Sequence, residues 1–158
     1  MVIGVLVHSL TGNTLSVAEE LQKKLLAGGH KVELKKLEPE GGEDKNEIDI
    51  TRIHFNPAPG ISGYDKVILA APVRGFSVSP VLAAYLSRID SMKGLKVDLF
   101  VTQAFPYAWM GGNRAIRQMK AICEKKGAQI ENTAVINWRS KKRNANIHEV
   151  IERLGKNK

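Results

Sequence analysis

Seven consecutive residues, His8 to Thr14 ("HSLTGNT"), gather three hydroxyl side chains, a glycine and an asparagine. They stand between an apolar run and a stretch with helical periodicity. Groups of these types in this place suit anion binding. A helix N-terminus leaves backbone N–H groups unpaired and carries partial positive charge, so it attracts a phosphate. Hydroxyls of Ser9, Thr11 and Thr14 would add donors, and Gly12 lets the backbone come close. The loop holds no Lys or Arg and lacks the Gly-Lys-Ser/Thr ending of nucleoside-triphosphate loops, so triphosphatase chemistry is not expected. The G-x-G-x-x-G of dinucleotide folds is absent too. A plainer use stays open: Ser9, Thr11 and Asn13 are also good caps for the helix that follows.

Other reactive side chains offer less. His8 reads as a strand-end residue rather than an acid–base catalyst. His30, His54 and His148 share no ligand-like spacing, so no metal site is expected. Cys123 shares a helix face with Ile116 and Met119 and reads as inert packing. The stretch "RSKKRN", residues 139–144, reads as a solvated basic loop. It could also attract an acidic protein, a pyridine-nucleotide phosphate or nucleic acid.

A loop that grips a ligand must be held by regular elements. Four segments read as strands buried on both faces: "VIGVLV" (2–7), "KVILAA" (66–71), "VDLFVT" (97–102) and "TAVINW" (133–138). Continuous apolar runs of this kind belong to parallel sheets covered by helices on both sides. A fifth, "KVELKKL" (31–37), alternates and suits an edge. Between them, residues 14–27 carry Val17, Leu21 and Leu25 on one helical stripe. "PVLAAYLSRI" begins a helix at Pro80, "NRAIRQMKAICEKKG" one at an Asn113 cap, and "IHEVIERLG" a last short one. Strands alternating with helices predict a doubly wound α/β sheet. Residues 38–64 resist, with six glycines and prolines after Pro39 and no convincing helix. A short irregular crossover or an extra strand is expected there.

The bulk numbers are compatible with one domain over residues 1–158 and a substantial core. Composition is that of a globular protein, 43% hydrophobic and 25% charged. No apolar run is long enough to span a bilayer, and no secretory signal is recognisable, so no membrane partner is expected. A single cysteine excludes an intramolecular disulfide and fits a reducing, cytoplasmic setting. The net charge of +8 favours an anionic partner, and residues 139–158 hold seven Lys/Arg against two acids.

"SLTGNT" resembles the S/T-x-T-G-x-T phosphate loop of the flavodoxin family. "GYDKVILAAPVRG" is similar to that family's third strand and first flavin-flanking loop. "VDLFVTQAFPYAWMGGNRAI" is similar to its fourth strand, second flavin loop and following helix. Three loops in order, each after a strand, are far more specific than any one. The resemblance implies a five-stranded parallel sheet of order 2-1-3-4-5, with an uninterrupted fifth strand as in short-chain flavodoxins. It also implies FMN as cofactor. Ser9, Leu10 (through its backbone), Thr11, Gly12, Asn13 and Thr14 match the phosphate-binding positions. Pro72, Val73, Arg74 and Gly75 match the first flavin loop, and Thr102, Gln103, Ala104 and Gly111 match backbone positions at the pyrimidine edge. Tyr107 matches a ring coplanar with the flavin, with Phe105 and Trp109 flanking it.

Two positions depart from the family pattern. Ala104 stands where members often carry an acid. Arg74 stands where a tryptophan is common, and "A-P-V-R" is similar to the T-P-T-R of quinone reductases of the tryptophan-repressor-binding-protein type. A guanidinium near the flavin would favour anionic reduced states, raising the reduction potential. The first expectation is therefore an FMN protein carrying electrons between partners, docking on an acidic redox protein or an NAD(P)H reductase. The alternative is an FMN-dependent NAD(P)H:quinone oxidoreductase. A third reading, a basic nucleic-acid module with a vacant flavin site, is not favoured, and whether the chain is an enzyme stays open.

Overall fold

In the computed structural model, which describes residues 1–42, 47–56 and 58–156, the Val/Ile-rich segments form strands. They are β1 (Val2–Val7), β2 (Lys31–Lys36), β3 (Lys66–Pro72), β4 (Lys96–Gln103) and β5 (Gln129–Asn137). All neighbours are parallel, in the order β2-β1-β3-β4-β5. The expected sheet and strand order are therefore present. Helices α1 (Asn13–Ala27), α2 (Pro80–Ser87), α3 (Gly112–Lys125) and α4 (Arg143–Leu154) alternate with the strands.

Alternation of side chains along each strand divides the core into two layers. On one face, Ile3, Val5 and Val7 pack with Val17, Leu21 and Leu25 of α1 and with Val150 and Leu154 of α4. On the other, Leu69, Leu99 and Val101 pack with Leu82 and Leu86 of α2 and with Met119 and Cys123 of α3. Helices α1 and α4 thus share one face, and α2 and α3 the other. Full burial of side chains such as Leu21 and Leu25 stabilises the packing by about 1.5–3 kcal/mol each. Burial pushes the Cys123 thiol up to about 12, so it stays protonated and packs as an apolar group, as its helix face suggested.

Four local expectations need correction. Strand β5 begins at Gln129 rather than Thr133, and it is an edge strand with alternating exposure rather than one buried on both faces. Helix α3 is capped by Gly111, not Asn113, and no side chain caps it. A Cβ at Gly111 would lie 2.8 Å from Phe76 Cα, so a residue with a side chain does not fit at that cap. Helix α4 starts at Arg143, so part of the supposed basic loop is its first turn. Helix α2 stops at Ser87, where the Arg88 N–H turns back to Tyr85 O at 3.1 Å.

The crossover from β2 to β3 holds one 3-10 turn, Ile50–Arg52, capped by Asp49, whose Oδ1 accepts from the Thr51 N–H at 3.0 Å. The described part of 38–64 is thus the irregular crossover, without an extra strand; residues 43–46 and 57 lie outside the described residues. A bulge opposite Val97/Asp98 shifts the β4–β5 register. Beside it, Lys66 Nζ bridges Asp98 at 2.9 Å and Glu131 at 3.1 Å. Burial raises the Asp98 carboxyl above its ordinary range, opposed by Lys66 and by hydrogen bonds from Asn132.

Candidate functional site

The sheet order reverses between β1 and β3, so the loops leaving them diverge to opposite faces and open a crevice at the strands' C-terminal ends. The first wall is the stretch after β1. Gly12 is the N-cap of α1 with φ 92°, a left-handed conformation that glycine adopts without strain. Ser9 Oγ accepts from the Leu15 N–H at 3.2 Å, so Ser9 acts as a cap from outside the helix. Thr11 and Asn13 make no such bond, and capping therefore accounts for Ser9 alone. The N–H groups of Leu10 to Thr14 meet no acceptor among the described residues. Five such amides at a helix start are a donor set of the kind that suits an anion cradle.

The Thr14 side chain turns inward from this stretch. Its hydroxyl is buried and shares a 2.7 Å hydrogen bond with the Thr102 hydroxyl at the end of β4. This bond ties the start of α1 to the far side of the crevice. His8 is also buried, and its Nδ1 lies 2.6 Å from Ser79 Oγ, the cap of α2. It joins the end of β1 to the start of α2.

The second wall follows β3. Arg74 and Ser77 exchange both backbone hydrogen bonds at 2.9 Å, closing a two-residue hairpin over Gly75 and Phe76. Both central residues have positive φ, 54° and 62°. Gly75 adopts this freely, whereas a side-chain residue such as Phe76 is held there against strain. Phe76 is half exposed and stacks on Phe105, centroids 5.3 Å apart and planes 7° apart. The third wall is the β4–α3 loop, where exposed Tyr107 and Trp109 stack at 6.1 Å with planes 5° apart. Gln103 holds this loop: its Nε2 donates to Tyr107 O at 2.6 Å and to Asn137 Oδ1 at 2.7 Å. Its other amide atom, Oε1, is buried without a partner. The carbonyl of Tyr107 must face a donor, which fixes the amide orientation and leaves Oε1 as the orphan.

Leu10, Thr11, Asn13, Pro72, Val73, Thr102, Gln103 and Ala104 line one cleft of about 340 Å³. Two further lining residues, Trp138 and Arg139, come from the end of β5 and were not expected there. Ser9 and Gly12 face a separate hollow of about 230 Å³ on the β2 side of the loop. Arg74, Gly75, Tyr107, Trp109 and Gly111 flank the cleft's loops without being among its lining. Phe76 was also missed, although a glycine before a phenylalanine in a short polar-flanked turn is its only sequence signal. Chemically, the cleft offers amide donors at one end, apolar walls and flat aromatic rings on the loops at its edge. That set suits a phosphorylated compound with a planar heterocycle.

No family model matches the chain, and no curated protein matches it. Solved structures do. The two-electron-reduced flavodoxin of Megasphaera elsdenii aligns over 98% of this chain and 99% of its own, with a TM-score of 0.67 and 20% identity. The chain has the flavodoxin fold. A short-chain flavodoxin associated with a bacterial microcompartment aligns over 98% of this chain and 96% of its own, TM-score 0.65, at 13% identity. The flavodoxin of Fusobacterium nucleatum, solved with flavin mononucleotide bound, aligns over 98% and 97%, TM-score 0.63, at 17% identity. The uninterrupted β5 accords with the short-chain form of this fold. In flavodoxin-fold terms, the crevice described above is the one at the reversal of strand order.

Proposed function

We propose that this chain is a single-domain, cytoplasmic FMN protein that carries electrons between partner proteins. The observation that carries the proposal is the row of amides from Leu10 to Thr14, which meet no acceptor among the described residues, beside a cleft that Leu10, Thr11 and Asn13 line. The residues fit the group at each end. The phosphoryl group would lie against those amides and the Thr11 hydroxyl. The ring system would lie between the loops after β3 and β4, beside the stacked aromatic rings. FMN, when bound, would supply one- and two-electron redox chemistry. The chain's own contribution is to bind and orient, to exclude water with Pro72 and Val73, and to set the local charge. Arg74 raises the positive potential near the ring, while Ala104 leaves out the acid that family members often place there.

The flavodoxin likeness supports this reading, as does the single buried cysteine, which fits a reducing compartment. The experiment is anaerobic mixing of the FMN-loaded protein with NADPH. An electron carrier stays oxidised with NADPH alone and is reduced once a flavodoxin reductase is added. Direct bleaching by NADPH, followed by turnover with a quinone, would replace carriage by quinone reductase activity.

A further inference from the structure

The amide cradle has no cation of its own, yet the cleft has one. Arg139 lines it together with Leu10, Thr11 and Asn13. This follows from the topology: α1 and α4 pack on the same face of the sheet, so the turn before α4 comes beside the start of α1. The turn is built. The Trp138 N–H donates to Gln103 O at 2.8 Å, and the Ser140 N–H to Asn137 O at 3.1 Å. Arg143 lies over the Trp138 ring at 5.1 Å and donates from Nη1 to Trp138 O at 3.2 Å. Arg143 is therefore spent on the turn. Arg139 is exposed, and among the described residues no carboxylate lies within ion-pair distance of it.

We propose that Arg139 makes the cleft selective for the phosphorylated flavin over the unphosphorylated one. The proposal rests on the FMN reading above. Neutral amides already favour a phosphate, but a permanent cation at the rim adds an attraction that riboflavin cannot use. Arginine keeps its charge at every working pH, so the pH dependence comes from the ligand. A phosphate monoester goes from one negative charge to two near pH 6. The contribution of Arg139 is larger above that pH than below it.

The test compares dissociation constants of FMN and riboflavin, by fluorescence titration, for the wild-type protein, Arg139→Gln, Arg139→Lys and Lys125→Gln. Lys125 ends α3 at the opposite end of the sheet, so its variant controls for net charge. Arg139→Gln is expected to weaken FMN about tenfold at pH 8 and less at pH 5, leaving riboflavin within about twofold. Arg139→Lys is expected to recover part of the loss, and Lys125→Gln to lose little. Equal weakening of both ligands, or none, with wild-type FMN binding intact, overturns the selectivity role and leaves the proposed function standing. Absence of FMN binding in the wild-type protein overturns the proposed function itself, and this inference with it.

Discussion

At the residue scale, the site depends on positions where a side chain cannot be. Gly111 has φ 110°, and a Cβ there would lie 2.8 Å from Phe76 Cα. Gly111→Ala should therefore cost about 1–3 kcal/mol and lower the melting temperature. It should also loosen the Phe76–Phe105 stack, readable as a change in near-ultraviolet circular dichroism. Unchanged melting and spectrum would mean that the two loops are not in close contact. Arg74 bears on charge rather than packing. In the FMN-loaded protein, Arg74→Ala should make the potential more negative, on the order of tens of millivolts, because a nearby cation favours added electrons. Spectroelectrochemical titration reads this directly, and a shift of zero or of opposite sign would remove Arg74 from the electrostatics. That residues 9–12 lead from a strand into a helix start was legible from residue type alone. That Thr14 faces inward was not, because its partner Thr102 is 88 positions away in sequence.

Elements carry the next level of specification. Strands β1, β3 and β4 were readable as unbroken apolar runs because each is covered on both sides. The run in β5 looked the same, yet it lies at an edge; composition reports apolar residues and not how many faces are covered. The missing crossover helix before β3 was visible as a surplus of glycine and proline. The entry of Trp138 and Arg139 into the cleft was not readable, since it depends on α1 and α4 sharing a face. The buried hydroxyl pair Thr14–Thr102 locks α1 to β4 across the crevice. Each single change to valine should destabilise by about 1–3 kcal/mol, because the other hydroxyl is left buried and unpaired. The double variant should lose less than the sum, and chemical denaturation gives all four corners of the cycle. Additive losses would show that the two hydroxyls do not depend on each other.

For the molecule as a whole, net charge biases which surfaces it approaches. A chain of net charge +8 is drawn to acidic surfaces and repelled by basic ones. Its electron exchange with an acidic protein should slow steadily as ionic strength rises through the physiological range, since the Debye length shortens to about 8 Å there. Stopped-flow rates at several salt concentrations measure this, and rates that climb with salt would place the partner among basic proteins. No helix among the described residues is long and apolar enough to cross a membrane.

All of these consequences return to the five unpaired amides after β1 and the cleft they open into. The most direct measurement is calorimetric titration of the flavin-free protein with FMN. One equivalent should bind with release of heat, and the bound flavin's fluorescence should be quenched by the neighbouring aromatic rings. No heat and unquenched fluorescence at saturating FMN would contradict the account, leaving the flavodoxin fold in place without its proposed cofactor.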